Sequence, residues 1–107
     1  MTLTLNEYQK QTAKTAHYPK QYRVSYPIIG LLGEAGELAN KYKKRWRGDA
    51  NAASDDELVA ELGDVLWYVA AIARDIGADL AEVAQANIEK THGRAARGQL
   101  KGSGDVR

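Results

Sequence analysis

The sequence predicts an all-α domain, and three observations carry that prediction. Only two prolines, Pro19 and Pro27, interrupt the 107 residues. Val and Ile never alternate with polar residues as a half-buried strand requires. Apolar residues recur instead at intervals of three and four, the spacing that puts side chains on one face of a helix.

A first helix is expected over residues 5–17, with Leu5, Tyr8, Thr12, Ala13 and Ala16 as its inward stripe and Pro19 as its stop. The segment Tyr18–Tyr26 that follows holds three tyrosines and two cations. It reads either as a surface loop whose rings pack on the bundle or as a lid that stacks a base and touches phosphate. A second helix starts near Pro27, a residue suited to a first helical turn, and runs to about Trp46. Ile28, Leu31, Leu32, Ala35, Leu38, Ala39, Tyr42 and Trp46 form its core stripe. Gly30, Gly33 and Gly36 break the helical rule inside it, since each interior glycine costs about 1 kcal/mol against alanine. Close approach of a backbone or a ligand is a reason to keep them; tight helix packing is the plainer one, above all for Gly36.

The second helix closes on Lys41-Tyr42-Lys43-Lys44-Arg45-Trp46-Arg47 and Gly48. Cations at a helix C-terminus complement the macrodipole, and glycine ends helices. Ser54-Asp55-Asp56-Glu57 then reads as a capping box opening a third helix, which runs to about Ile76 before Gly77. Leu58, Leu62, Val65, Leu66, Val69, Ile72, Ala73 and Ile76 face its core, and Glu57, Glu61, Asp64 and Tyr68 line one side of that stripe. Trp67 falls opposite the core, where a second subunit is the expected cover. Asp79 caps a fourth helix with Glu82 three residues on. Its apolar face, Leu80, Val83 and Ala84, turns polar through Asn87, Lys90 and Arg94. Asn87 sits mid-stripe, where it either bonds a neighbouring helix or orients a ligand. The expected domain is 1–97, with a flexible tail over 98–107.

Composition narrows the function. An apolar share of 44% and a net charge of +1 describe a globular protein without a strong pull toward nucleic acid or membrane. With no cysteine, disulfides and thiolate metal sites are excluded. No apolar run reaches membrane-spanning length and no signal-peptide core is visible, so the expected compartment is the cytoplasm. His17 and His92 share no metal-ligand spacing and read as surface residues.

The chemistry is carried by acids. Glu34 and Glu37, and again Glu61 and Asp64, are pairs three residues apart, each aiming two carboxylates the same way from a helix. Like charges at that spacing cost a few tenths of a kcal/mol, and only Glu37 has a helical cation partner, Lys41. Acids gathered without internal cations point to a hard dication, most simply Mg²⁺, which prefers oxygen ligands and bridges carboxylates to phosphates. Such a site can polarise a phosphoryl oxygen and activate water, a spare glutamate can take the proton, and Lys90 and Arg94 would offset substrate charge. Hydrolysis of a phosphoanhydride fits.

At these residues the sequence resembles the MazG-like all-α nucleoside triphosphate pyrophosphohydrolases. The motif is Glu34-x-x-Glu37, about two dozen residues, then Glu61-x-x-Asp64. Around it stand Gly33-Glu34-Ala35-Gly36-Glu37-Leu38, Glu61-Leu62-Gly63-Asp64-Val65-Leu66-Trp67-Tyr68, and Asn87-Ile88-Glu89-Lys90 with Arg94 beyond. The likeness spans roughly residues 5–97, with Thr91 standing where the family usually has leucine. It implies a four-helix bundle that forms homodimers or homotetramers, and cleavage of a (d)NTP between the α and β phosphates to a monophosphate and pyrophosphate, in nucleotide-pool housecleaning. It further implies Glu34, Glu37, Glu61 and Asp64 as Mg²⁺ ligands, with Mn²⁺ able to substitute, Glu34 or Glu37 as the group that activates water, and Asn87, Lys90 and Arg94 facing the substrate. Two other readings stay open: a non-catalytic helical interaction module whose acids are a solvated face, and a small nucleic-acid binder using residues 41–47.

Overall fold

The computed structural model describes residues 2–96, and side chains to Arg94. The tail expected from residue 98 on lies outside the described residues. Among those residues every regular element is helical, in the order α1 (Leu5–Thr12), α2 (Ser25–Trp46), α3 (Asp55–Asp75) and α4 (Leu80–Ala96), with short 3₁₀ turns at Ala13–Thr15 and Lys20–Tyr22. The long α2 and α3 form an antiparallel hairpin, and α1 and α4 pack against α3 and each other.

The helix ends follow local chemistry. Thr4 caps α1 by accepting from the Glu7 N–H at 3.0 Å. Ser54 and Glu57 close the predicted capping box on α3. Gly48 and Gly77 take φ of +72° and +81° just past α2 and α3, the left-handed conformation that glycine adopts without strain. The loop between α2 and α3 is strapped by Arg45, which bonds the Ala53 carbonyl at 2.9 Å and Asp55 at 2.8 Å. Arg47 pairs with Asp49, so much of the basic run is spent on local contacts.

Two helices depart from expectation. α1 ends at Thr12, well before Pro19, and tightens into a 3₁₀ turn through Thr15. Its buried residues are Gln9 and Thr12, whereas Leu5 is exposed. The reason lies at the start of α4. Gln9 accepts the Leu80 N–H at 2.9 Å and Asn6 accepts the Ala81 N–H at 2.9 Å, so α1 supplies acceptors for the free donors of α4. Gln9 also donates to the Ala78 carbonyl at 3.0 Å. Glu82 reaches back to the Asp79 N–H at 3.3 Å as expected, but the first-turn donors of α4 are met by a helix some seventy residues earlier. No periodicity argument reaches that far.

The core is thinner than the stripes implied. Fully or nearly buried apolar residues are small: Ala53, Ala70, Ala71, Ala73, with Leu80 and Pro27. Ile28, Leu32, Tyr42 and Trp46 of the α2 stripe stand exposed, Leu32 at 69% and Trp46 at 82%, as do Leu62, Leu66 and Ile76 of α3. Leu31 and Leu38 are half-buried. The radius of gyration, 16.5 Å, exceeds the roughly 13 Å of a compact chain this long. Apolar periodicity records that a face is buried somewhere, not that one chain buries it, and here a single chain leaves that face open.

Candidate functional site

The acids stand where α2 and α3 run side by side. Glu34, Glu61 and Asp64 each offer a carboxylate oxygen within 4.8 Å of the others. Glu61 is the buried one, 8% exposed, and its Oε2 is enclosed with no hydrogen-bond partner. Its Oε1 accepts from Lys41 Nζ at 2.9 Å. The sequence pairs Lys41 with Glu37 by helical spacing. The structure sends it across the hairpin to Glu61, because a carboxylate losing its water draws a cation more strongly than an exposed one. Glu37 is exposed and stands outside the three-acid group.

The electrostatics follow the crowding. Glu34 is held above the ordinary glutamate value first by partial burial, then by the adjoining Glu61 carboxyl group and the charges of Asp64, Glu61 and Glu37. Glu61 moves the other way: the hydrogen bond and charge of Lys41 lower it, against the opposing effect of burial. The Lys41 ammonium is correspondingly raised, first by its bond to Glu61.

An open cleft of about 350 Å³, lined by Thr15, Glu34, Asp64, Trp67 and Tyr68, borders the acids. A second cleft, lined by Thr15, His17, Tyr18, Pro19, Tyr26, Trp67 and Tyr68, adjoins it through shared walls. Its rings are fixed in place. Tyr18 and Tyr26 stack with centroids 4.9 Å apart. Tyr18 donates to Asp75 Oδ2 at 2.7 Å, and the same oxygen accepts the Val24 N–H at 2.9 Å. Val24 has φ of +69°, costly for a β-branched residue, and this bond holds it there at the entry to α2. Burial pushes the Tyr68 hydroxyl up, with smaller contributions from Tyr26, Glu34 and Asp64.

Trp67 is not a bare surface awaiting a partner. It is half-buried, stands edge-on to Tyr68 at 5.1 Å, and donates to Thr15 Oγ1 at 2.9 Å. The helical wheel places it opposite the core with a second subunit as the expected cover; the 3₁₀ turn after α1 covers part of that side within the chain. Gly30 belongs to the same construction. A Cβ there would overlap the Tyr68 ring, whereas one at Gly33 or Gly36 would meet nothing within 4 Å. Of the three glycines, Gly30 is the one whose missing side chain makes room for a ring.

The α4 residues stand apart from these clefts. Asn87 is exposed instead of buried mid-stripe, because α4 turns that face to solvent. Lys90 is exposed too. Arg94 is 6% exposed with an unpartnered Nε. None of the three lines either cleft. His17 and His92 are exposed, and His17 borders the aromatic cleft. Sequence reasoning missed Thr15 and paired Lys41 with Glu37 instead of Glu61, since both contacts cross between elements and spacing along one helix does not show them.

A profile described as the MazG nucleotide pyrophosphohydrolase domain matches residues 27–98, which takes in both acid pairs. The chain belongs to the MazG family. Gene 37 protein of Mycobacterium phage L5 is similar to it, 44% identical over 109 residues, covering 94% of this chain and 96% of that protein. No solved structure matches. For a MazG domain, an oxygen-only cluster with an enclosed, unpaired oxygen is a fitting place for a hard dication. Among the described residues no helix is long and apolar enough to cross a membrane.

Proposed function

We propose that this MazG protein is a cytoplasmic, Mg²⁺-dependent pyrophosphohydrolase that cuts a (d)NTP between its α and β phosphates, releasing a monophosphate and pyrophosphate. The observation that supports it best is the convergence of Glu34, Glu61 and Asp64 to within 4.8 Å beside an open, aromatic-walled cleft. Three oxygens so placed would hold a dication through Glu34, Glu61 and Asp64, with Glu37 one turn away. When bound, that ion neutralises phosphoryl charge and lowers the pKa of water.

The chain's own side chains supply the rest. Trp67, Tyr68 and Tyr26 offer ring faces for the base and sugar, and base–aromatic stacking is tolerant of sequence. With the base held there, the triphosphate extends toward the acids. Glu37, exposed and outside the cluster, is the carboxylate free to take the proton of the attacking water, while Glu34 serves as ligand. The water oxygen bonds to phosphorus as the α–β bridging bond breaks, and pyrophosphate leaves. Asn87, Lys90 and Arg94 are proposed substrate contacts only in an assembly, since α4 of the same chain packs on α1 and α3. The open apolar face of α2 and α3 is the proposed seat of a second copy, giving a homodimer or homotetramer.

Neutral isosteres separate the roles. Glu61→Gln and Asp64→Asn should lose both Mg²⁺ binding and pyrophosphate release. Glu37→Gln should keep the first and lose the second by at least about a hundredfold. Full turnover in Glu61→Gln would refute the site. Full turnover in Glu37→Gln with loss in Glu34→Gln would move the base to Glu34. A helical interaction module, by contrast, would gain stability from Glu34→Gln with or without Mg²⁺, while Glu61→Gln would lose its Lys41 pair in either case.

A further inference from the structure

Lys41 brings a positive charge to the edge of the three-acid group. Its ammonium lies 2.9 Å from Glu61 Oε1, on the carboxylate that is 8% exposed and belongs to the three-acid group. The other oxygen of that carboxylate is enclosed and unpaired. An ionised carboxylate so desolvated needs a cation, and Lys41 is the one that meets it. Yet the lysine side chain itself is 33% exposed, on a flexible four-carbon stem with a route to water. Lys41 also lies seven residues, two helical turns, beyond Glu34, on the same side of α2. The ammonium and a dication would compete for the Glu61 carboxylate, and a unit charge a few Å from a dication is repelled strongly.

We infer that Lys41 is an exchangeable internal counter-ion: it holds Glu61 in place while the site is metal-free and swings out when a dication enters. The inference rests on the metal-binding reading above. Its consequence is a raised threshold for loading. Part of the dication's attraction to the acids is offset by expelling the ammonium, so the free protein binds metal weakly and loads best with a polyphosphate that adds oxygens of its own. The released ammonium then has a phosphate nearby to pair with.

The experiment compares wild type, Lys41→Met and Lys41→Arg, each as the full chain. Mg²⁺ affinity without nucleotide is read by calorimetry, Mn²⁺ occupancy by electron paramagnetic resonance, and thermal stability with and without Mg²⁺. Lys41→Met should bind Mg²⁺ on the order of tenfold tighter or more. It should melt lower than wild type when metal-free, and the gap should close or reverse at saturating Mg²⁺. Lys41→Arg, which keeps the charge, should bind Mg²⁺ no tighter than wild type. Unchanged or weaker affinity in Lys41→Met overturns the inference and makes the pair a fixed structural bridge. Failure of both wild type and Lys41→Met to bind Mg²⁺ or Mn²⁺ overturns the metal reading itself, a distinct result.

Discussion

Replacing Gly30 and Gly33 by alanine, one at a time, separates a helix effect from a site effect. Both glycines lie inside α2, where alanine is favoured by about 1 kcal/mol. At Gly33 a new Cβ meets nothing within 4 Å, so the whole gain should appear. For a domain of this size that is a melting temperature higher by roughly 4–8 °C. At Gly30 the Cβ overlaps the Tyr68 ring. Overpacking of this kind costs about 1–3 kcal/mol, which cancels or exceeds the propensity gain. Gly30→Ala should therefore be neutral to about 2 kcal/mol less stable than wild type. Tyr68 walls both clefts, so the displaced ring should also raise KM for the nucleotide. Mg²⁺ affinity should stay as it was, since the acids are untouched. Thermal melts, steady-state kinetics and metal titration on both variants decide the matter. If Gly30→Ala gains as much stability as Gly33→Ala and keeps its KM, Tyr68 is not seated on Gly30 and does not wall the nucleotide cleft.

Four further outcomes are expected. Glu34 holds its proton above the ordinary glutamate value of 4.5, and a dication must displace that proton, so Mg²⁺ affinity should begin to fall at a higher pH than an unperturbed carboxylate would give. In the metal-free protein the sign reverses: the folded state binds that proton more tightly than the unfolded chain, so the Glu34 contribution grows more favourable as pH falls from its raised value toward 4.5, whereas the favourable contribution of lowered Glu61 is lost below 4.5. Titrations followed by calorimetry and by chemical melts check both. Gln9→Ala strips a cap from α4 and should cost about 0.5–2 kcal/mol in denaturant melts, where an ordinary surface change would cost almost nothing. Leu32→Glu puts a charge in the open α2 stripe and should shift sedimentation equilibrium toward monomer; an unchanged mass would remove that stripe from the interface.

Much of the fold was legible because it is local. The capping box at Ser54, the ends of α2 at Trp46 and of α3 at Asp75, and the all-helical class all follow from residues within a turn or two of one another. What was not legible is long-range. Gln9 serves α4 from α1, which buries a glutamine on the face where the periodicity places Leu5. Lys41 chooses Glu61 over its helical neighbour because burial, not spacing, sets the stronger field. Periodicity assigns the stripe from Ile28 to Trp46 to a core, and the chain alone leaves it largely exposed, since periodicity is blind to which molecule does the burying. For the acids, sequence spacing identified the two helices, while the structure groups Glu34 with Glu61 and Asp64 and leaves Glu37 beside them.

Phosphorus-31 NMR of a nucleoside triphosphate incubated with the protein and Mg²⁺ tests the proposed cleavage most directly. Monophosphate and pyrophosphate signals should rise together in equal amounts, and neither should appear with Glu61→Gln. Orthophosphate as the sole released product, or equal turnover when Glu61 is replaced, would contradict cleavage of the α–β bond at these carboxylates.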